Sequence, residues 1–154
     1  MGAAVRARGG GSSMSTIRDL IQDRKVHSLQ ATESVMTAAL YLTQCNIGAI
    51  PVMEGEQLAG VFSERDILTR VVAAKRNPEA TLLREVMTSG PFIVGPDDPV
   101  ERCLIAMKHH GFRHLPVCEG ERLVGFISLR DLLLHDLDEK EVDLRMMRAY
   151  LNAS

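Results

Sequence analysis

The chain has 154 residues, of which 45% are apolar and 25% charged, an ordinary globular composition that suits one domain or two small units sharing a core. Eighteen Lys and Arg against twenty Asp and Glu leave a formal charge of −2, without the positive excess that draws a chain onto nucleic acid. With four Phe, two Tyr and no Trp it lacks a base-stacking platform for single strands, and no apolar run approaches the roughly 18 residues of a membrane span, so neither nucleic acid nor membrane is an expected partner.

Residues 1–16, rich in Gly, Ser and Ala with Arg6 and Arg8, offer nothing to bury and are expected to be a disordered extension or tag. Met14 is an alternative start. A short strand is expected at Val26–Leu29. Val35, Met36, Ala39, Leu40 and Leu42 recur at helical spacing, which predicts a helix over 33–45. Apolar runs at 47–53 and 58–62 flank Glu54-Gly55-Glu56, the pattern of a hairpin, and a helix is expected from about 64 to 75. Residues 76–90 read as a linker, followed by a short strand at Phe92–Val94. Asp98, Pro99 and Glu101 form a helix start, with Asp98 as N-cap, and Gly111 stops that helix. Strands at 112–118 and 123–127 and a helix at 129–136 follow. A separate C-terminal helix is expected within 137–154, where Val142, Met146 and Ala149 share a face: it packs on its own unit or serves as a dimer or partner helix. The odd cysteine count (Cys45, Cys103, Cys118) argues against a disulfide framework. All three are expected as buried reduced thiols, which implies the cytoplasm.

The chain repeats itself. Residues 47–68 align with 112–133 at an offset of 65 without a gap, with 11 identities in 22 positions. Two units are therefore expected, one over 17–75 and one with its core at 91–136, related by a pseudo-twofold axis. Each has the order strand, helix, strand, strand, helix, which gives an α/β fold of short sheets packed against two helices.

The repeated segment that carries chemistry is Gly60-Val61-Phe62-Ser63-Glu64-Arg65-Asp66 and its twin Gly125-Phe126-Ile127-Ser128-Leu129-Arg130-Asp131. Ser-x-x-Asp before an apolar helix is a capping box. It also suits a ligand. A glycine before the Ser permits close approach to the backbone, and the helix start offers free N–H groups to a phosphate. Arg65 and Arg130 add positive charge, and Asp66 and Asp131 can accept hydrogen bonds from ribose hydroxyls.

These segments, the apolar-Pro-Val strands at 50–52 and 115–117, and Glu85-Val86-Met87-Thr88 between the copies resemble the paired CBS domain, or Bateman module, over about residues 17–136. The resemblance implies an adenosine-ligand sensor with one potential cleft per repeat. It selects Ser63, Arg65 and Asp66 with Ile50 and Pro51, and Ser128, Arg130 and Asp131 with Leu115 and Pro116. The adenine would lie against the backbone of the apolar-Pro strand and against Val26–Leu29 or Phe92–Val94. Arg113 and His114, which replace Gly48 and Ala49, are further candidates, Arg113 for a phosphate. Glu64 in place of Leu129 weakens the first site. The implied ligand is an adenine nucleotide, AMP, ADP, ATP or NAD, with S-adenosylmethionine not distinguished. A homodimer and a regulated protein partner are implied as well.

His109, His110 and His114 lie near Cys103 and Cys118, but Gly111 breaks the His110/His114 pair out of one helix, so no metal is expected. No nucleophile elbow, P-loop lysine or Rossmann glycine run is present. The expectation is a non-enzymatic energy or redox sensor acting in trans. The alternatives are a structural interaction module with closed clefts and an enzyme acting on a nucleotide.

Overall fold

The offset of 65 reappears in the backbone. The structure is a computed structural model that describes residues 15–153, so the expectations for residues 1–14 lie outside the described residues. The elements run α1 (Ile17–Ile21), β1 (Leu29–Gln30), α2 (Val35–Cys45), β2 (Ala49–Glu54), β3 (Gln57–Ser63) and α3 (Glu64–Asp66), which continues as a π-helix at Ile67–Val72. Then come α4 (Leu83–Val86), β4 (Thr88–Ser89), α5 (Val100–His110), β5 (His114–Glu119), β6 (Arg122–Ser128) and α6 (Leu129–Asn152). This is a mixed α/β fold of two repeats. The first sheet has the order β1-β2-β3-β4, with β1 parallel to β2 and the rest antiparallel. The second is the β5-β6 hairpin, beside which Val94 forms a single parallel bridge to Val117. Leu29 makes the equivalent pairing to Val52.

Local chemistry explains the boundaries. The Ser34 side chain accepts from the Thr37 N–H and starts α2, which ends at Asn46 in the left-handed region, φ 53°. Gly111, φ 74°, ends α5 in the same way, a conformation a residue with a Cβ adopts at a cost. Asp98 does not cap α5. Pro99 occupies that position, and the Asp98 carboxylate instead accepts from the Gly95 N–H at 2.7 Å.

The two cores are built from matching positions. The first holds Leu29, Val35, Ala38, Leu42, Ile50, Val52 and Phe62; the second holds Val94, Val100, Cys103, Met107, Leu115, Val117 and Ile127. Each pair is separated by 65 residues. The lead-in helices are exchanged. Ile17 and Leu20 of α1 complete the second core, and Leu83 and Val86 of α4 complete the first. The backbone bonds are reciprocal: Ile17 N–H to Asp98 carbonyl at 3.0 Å, and Leu83 N–H to Glu33 carbonyl at 2.9 Å. Part of the stretch expected as a linker is thus core of the first repeat.

This exchange corrects the reading of the glycine before each Ser. A Cβ on Gly125 would lie 2.6 Å from Cγ2 of Ile21, and one on Gly60 would lie 2.6 Å from the Thr88 carbonyl oxygen. The chain itself, not a ligand, makes the close approach.

Two further expectations change. The helix expected at 64–75 is one α-turn followed by a π-helix, and Arg70 in it donates to the carbonyls of Val86 and Met87 at 3.2 and 2.8 Å. The expected helices at 129–136 and within 137–154 are one continuous helix, α6, because no Gly or Pro interrupts residues 129–152. Cys103 and Cys118 are buried, but Cys45 is only half-buried.

Candidate functional site

Both Ser-x-x-Asp segments form capping boxes. The Ser63 Oγ accepts from the Asp66 N–H at 3.3 Å and donates to its carboxylate at 3.1 Å, and the Ser63 N–H donates to the same carboxylate at 3.0 Å. In the second repeat the Asp131 N–H donates to the Ser128 Oγ, and the Ser128 N–H donates to the Asp131 carboxylate, both at 3.0 Å. Each box satisfies donors that a helix start leaves unpaired.

Their surroundings differ. The Asp66 side chain is 11% exposed and lies 3.6 Å from Arg70, four residues along its own helix. The Asp131 side chain is 27% exposed and lies 3.2 Å from Arg24, in the segment between α1 and β1. One carboxylate is enclosed within its repeat; the other faces the boundary between repeats.

That boundary holds a cleft of about 640 Å³, within the size range of small-molecule sites. Ile21, Arg24, Lys25, Val26 and His27 line it from the lead-in, and Asn46, Ile47, Gly48 and Ala49 from the corner between α2 and β2. His114, Gly125, Phe126, Ser128, Arg130 and Asp131 line it from the second repeat. The His27 ring nitrogen Nδ1 and the Tyr41 hydroxyl are 2.6 Å apart, which anchors this wall to α2. His114 stacks on Phe126 with centroids 5.5 Å apart. Burial pushes the His114 pKa below its ordinary 6.5; Asp131 and Glu64 oppose that shift, and Arg113 adds to it. A Cβ on Gly48 would be 3.6 Å from the Glu64 carboxylate and 3.9 Å from His114, so the two motifs approach each other here.

Of the residues selected from the sequence, Ser128, Arg130, Asp131 and His114 come together in this cleft. Arg113 is exposed and does not line it; its carbonyl accepts from the Leu129 N–H at 2.7 Å. Ile50 and Leu115 are 0% exposed and sit in the two cores, while Pro51 and Pro116 are buried in their strands opposite Val61 and Phe126. None of these four lines the cleft, because β2 and β5 are buried on both faces there and successive side chains are taken up on opposite sides of the sheet. The strand that borders Asp131 is the start of β2, from the other repeat. Ser63, Arg65 and Asp66 lie outside this cleft. Near the position related by the offset, Phe92, His110 and Phe112 stack with centroids 5.4 to 5.8 Å apart.

Sequence reading missed Arg24, Lys25 and the Asn46–Ala49 corner. Arg24 and Lys25 follow α1, whose Ile21 packs against Gly125 and so brings them to the cleft, a contact that the sequence does not signal. Among the described residues, no three His, Cys, Asp or Glu side chains converge to hold a metal. Burial pushes the Cys103 thiol up to about 11. No helix among the described residues is long and apolar enough to cross a membrane.

The CBS domain family matches residues 17–73 and 83–138. The chain belongs to it, as a tandem pair of CBS domains. The uncharacterized protein YlbB of Bacillus subtilis is 33% identical over 125 residues, which cover 80% of this chain and 83% of that protein. The CBS domain-containing protein YhcV of the same organism is 31% identical over 127 residues, covering 82% and 89%. Both relatives consist of little besides the matched CBS pair. The structure of CBS domain protein PAE2072 from Pyrobaculum aerophilum, complexed with AMP, is 28% identical with a TM-score of 0.70, covering 79% of this chain and 97% of that one.

Proposed function

We propose that this CBS pair is a non-catalytic sensor that binds an adenine nucleotide in the cleft at Ser128 and Asp131. The observation that carries the reading is the convergence of three cations, Arg24, Lys25 and Arg130, on a cleft that also presents Asp131 and the start of α6. Phosphate suits the cations and the helix N-terminus. Ribose hydroxyls suit the Asp131 carboxylate as donors. The base suits Val26, Ile47 and the open backbone at Gly48. When a phosphate arrives, Arg24 exchanges the carboxylate for it, so the same ion pair that fills the cleft wall becomes part of the ligand's shell. The AMP complex of the Pyrobaculum relative supports an adenosine ligand.

The charge balance selects within that class. Arg24, Lys25 and Arg130 against Asp131 in the lining and Glu64 beside Gly48 leave a positive balance, which favours AMP, ADP, ATP or NAD over the sulfonium of S-adenosylmethionine. Arg113, to which the sequence assigned that preference, is replaced in this role by Arg24 and Lys25. The enclosed Asp66 favours a structural role for the first motif, so one cleft carries the ligand. The reading includes a homodimer that passes occupancy to a protein partner in the cytoplasm, where the free thiols Cys45, Cys103 and Cys118 stay reduced.

Calorimetry with AMP, ADP, ATP, NAD and S-adenosylmethionine tests it. Phosphorylated ligands should bind, more weakly as salt rises, and each should raise the melting temperature, a ligand at 100 times its Kd adding about 2.7 kcal/mol. Absence of binding across the panel would leave the structural-module reading in its place.

A further inference from the structure

The wall of the cleft at Ser128 contains a ring whose two nitrogens have different surroundings. His27 is half-buried there. Its Nδ1 lies 2.6 Å from the Tyr41 hydroxyl of α2, and the two rings meet edge to face at 70° with centroids 5.6 Å apart. Tyr41 packs against the first core and does not line the cleft, so this bond is directed out of the cavity and into the repeat. The opposite ring nitrogen, Nε2, has no hydrogen-bond or ionic partner among the described residues.

The bond to Tyr41 fixes which nitrogen carries the proton. A neutral imidazole holds one N–H and one lone pair. A phenolic O–H is a much stronger acid than an imidazole N–H, so Tyr41 donates and Nδ1 accepts. The hydroxyl keeps its proton, because partial burial and then the adjacent Cys45 hold the Tyr41 pKa above its ordinary 10. The proton of His27 is therefore on Nε2, and the ring presents a donor oriented from behind by α2.

Its place in the cleft says what that donor meets. Arg24, Lys25 and Arg130 suit phosphate, Asp131 suits ribose, and His114 stacks on Phe126 beside that carboxylate. His27 follows Val26 on the apolar side that suits the base. A purine presents ring nitrogens as acceptors to such a donor. The repeat supplies a contrast. At the offset of 65, Phe92 and Ala106 stand for His27 and Tyr41, so the donor and its support are replaced together.

We propose that His27 is a specificity-determining residue whose Nε2–H donates to a ring nitrogen of the bound purine, and that Tyr41 is its positioning residue. The inference rests on the nucleotide reading of this cleft and names the side chain that recognises the base.

Calorimetry of the full chain with AMP and its 1-deaza, 3-deaza and 7-deaza analogues, in which C–H replaces one ring nitrogen, tests it. One analogue should bind the wild type roughly five- to tenfold more weakly than AMP, the worth of one net hydrogen bond. In His27→Phe, which carries the residue found at position 92, AMP should weaken by the same factor and that analogue should bind as AMP does. Tyr41→Phe should weaken AMP severalfold and leave that analogue unchanged. Nitrogen-15 spectra at pH 8 should show His27 protonated at Nε2 in the wild type and a mixture of tautomers in Tyr41→Phe. Thermal melts check the folding of the variants, and the analogue series and spectrum of the wild type stand without them. AMP binding in which the His27 side chain singles out no analogue would overturn the assignment and leave the nucleotide reading in place. A proton on Nδ1 in the wild type would overturn the donor. A wild type that binds none of the adenine nucleotides would overturn both the reading and the assignment.

Discussion

Arg24 and Asp131 meet at 3.2 Å across the boundary between repeats. The arginine comes from the segment between α1 and β1 and the carboxylate from the first turn of the last helix, so this pair joins the two repeats at the cleft. Both side chains are partly solvated, and the pair itself contributes little stability, within about 1 kcal/mol. Asp131→Ala undoes its half of the Ser128 capping box, at about 1 kcal/mol of stability, and should cost nucleotide affinity as well. Losing hydrogen bonds to a charged acceptor costs about 1.5–3 kcal/mol, a ten- to hundred-fold rise in Kd by calorimetry. Arg24→Ala should weaken ATP more than adenosine. Equal losses for the two would remove phosphate from the role assigned to Arg24.

Asp66→Ala should cost stability alone. Asp66 accepts from both the N–H and the hydroxyl of Ser63 and neighbours Arg70, within a nearly enclosed environment. Its removal undoes a capping box and leaves buried donors unpaired, at about 1–2 kcal/mol of stability. Urea denaturation should show the loss, and nucleotide affinity at the other cleft should stay within twofold. A large fall in affinity would restore the first motif as a ligand site.

The exchanged lead-ins predict an asymmetric response at the two glycines. Gly125→Ala should destabilise by about 1–3 kcal/mol through overpacking, because the new methyl lies 2.6 Å from Cγ2 of Ile21. Ile21→Ala in the same chain removes that atom and should recover part of the loss. Gly60→Ala meets the Thr88 carbonyl oxygen at 2.6 Å, a backbone atom that no side-chain truncation can move, so no such partner rescues it. Thermal melts of the single and paired variants check both statements.

The repeat, the hairpins and the paired helices were legible because they are local or recur in register: identical turns at Gly55 and Gly120, both at φ 62°, and core positions 65 apart follow from pattern alone. The exchange of α1 and α4 was not. Two similar cores present similar sockets, and periodicity says that Ile17 and Leu83 are buried without saying in which repeat. The site inherited that gap. Ser128 and Asp131 are candidates from their motif and line the cleft, whereas Arg24 and Lys25 lie in a segment without regular structure and reach the cleft only because α1 docks on the second repeat. Pro51 and Pro116 mark their strands faithfully, yet buried side chains within a strand leave the cleft wall to the strand's first residue, Ala49, and to Gly48 before it. The continuity of α6 follows from an absence of breakers that an expected division at 137 overlooked.

His114 gives the fold a pH dependence whose sign is fixed by its burial. It stacks on Phe126, and its pKa lies below 6.5 chiefly because burial disfavours the imidazolium; the Asp131 and Glu64 carboxylates pull the other way without reversing it, and Arg113 reinforces it. A histidine with a depressed folded pKa binds fewer protons in the native state than in the unfolded chain between the two values. Its contribution to stability is therefore complete above about pH 6.5 and is lost as pH falls below that value toward the folded pKa. His114→Gln removes the titration while keeping a polar side chain of similar reach. Loss of the stacked ring should lower stability by about 0.5–1.5 kcal/mol at pH 8. The gap between wild type and variant should then narrow as pH falls from 7 to 5, because only the wild type loses the histidine's contribution. A gap that widens toward acid would mean that the carboxylates of Asp131 and Glu64 dominate and hold the imidazolium between the two repeats.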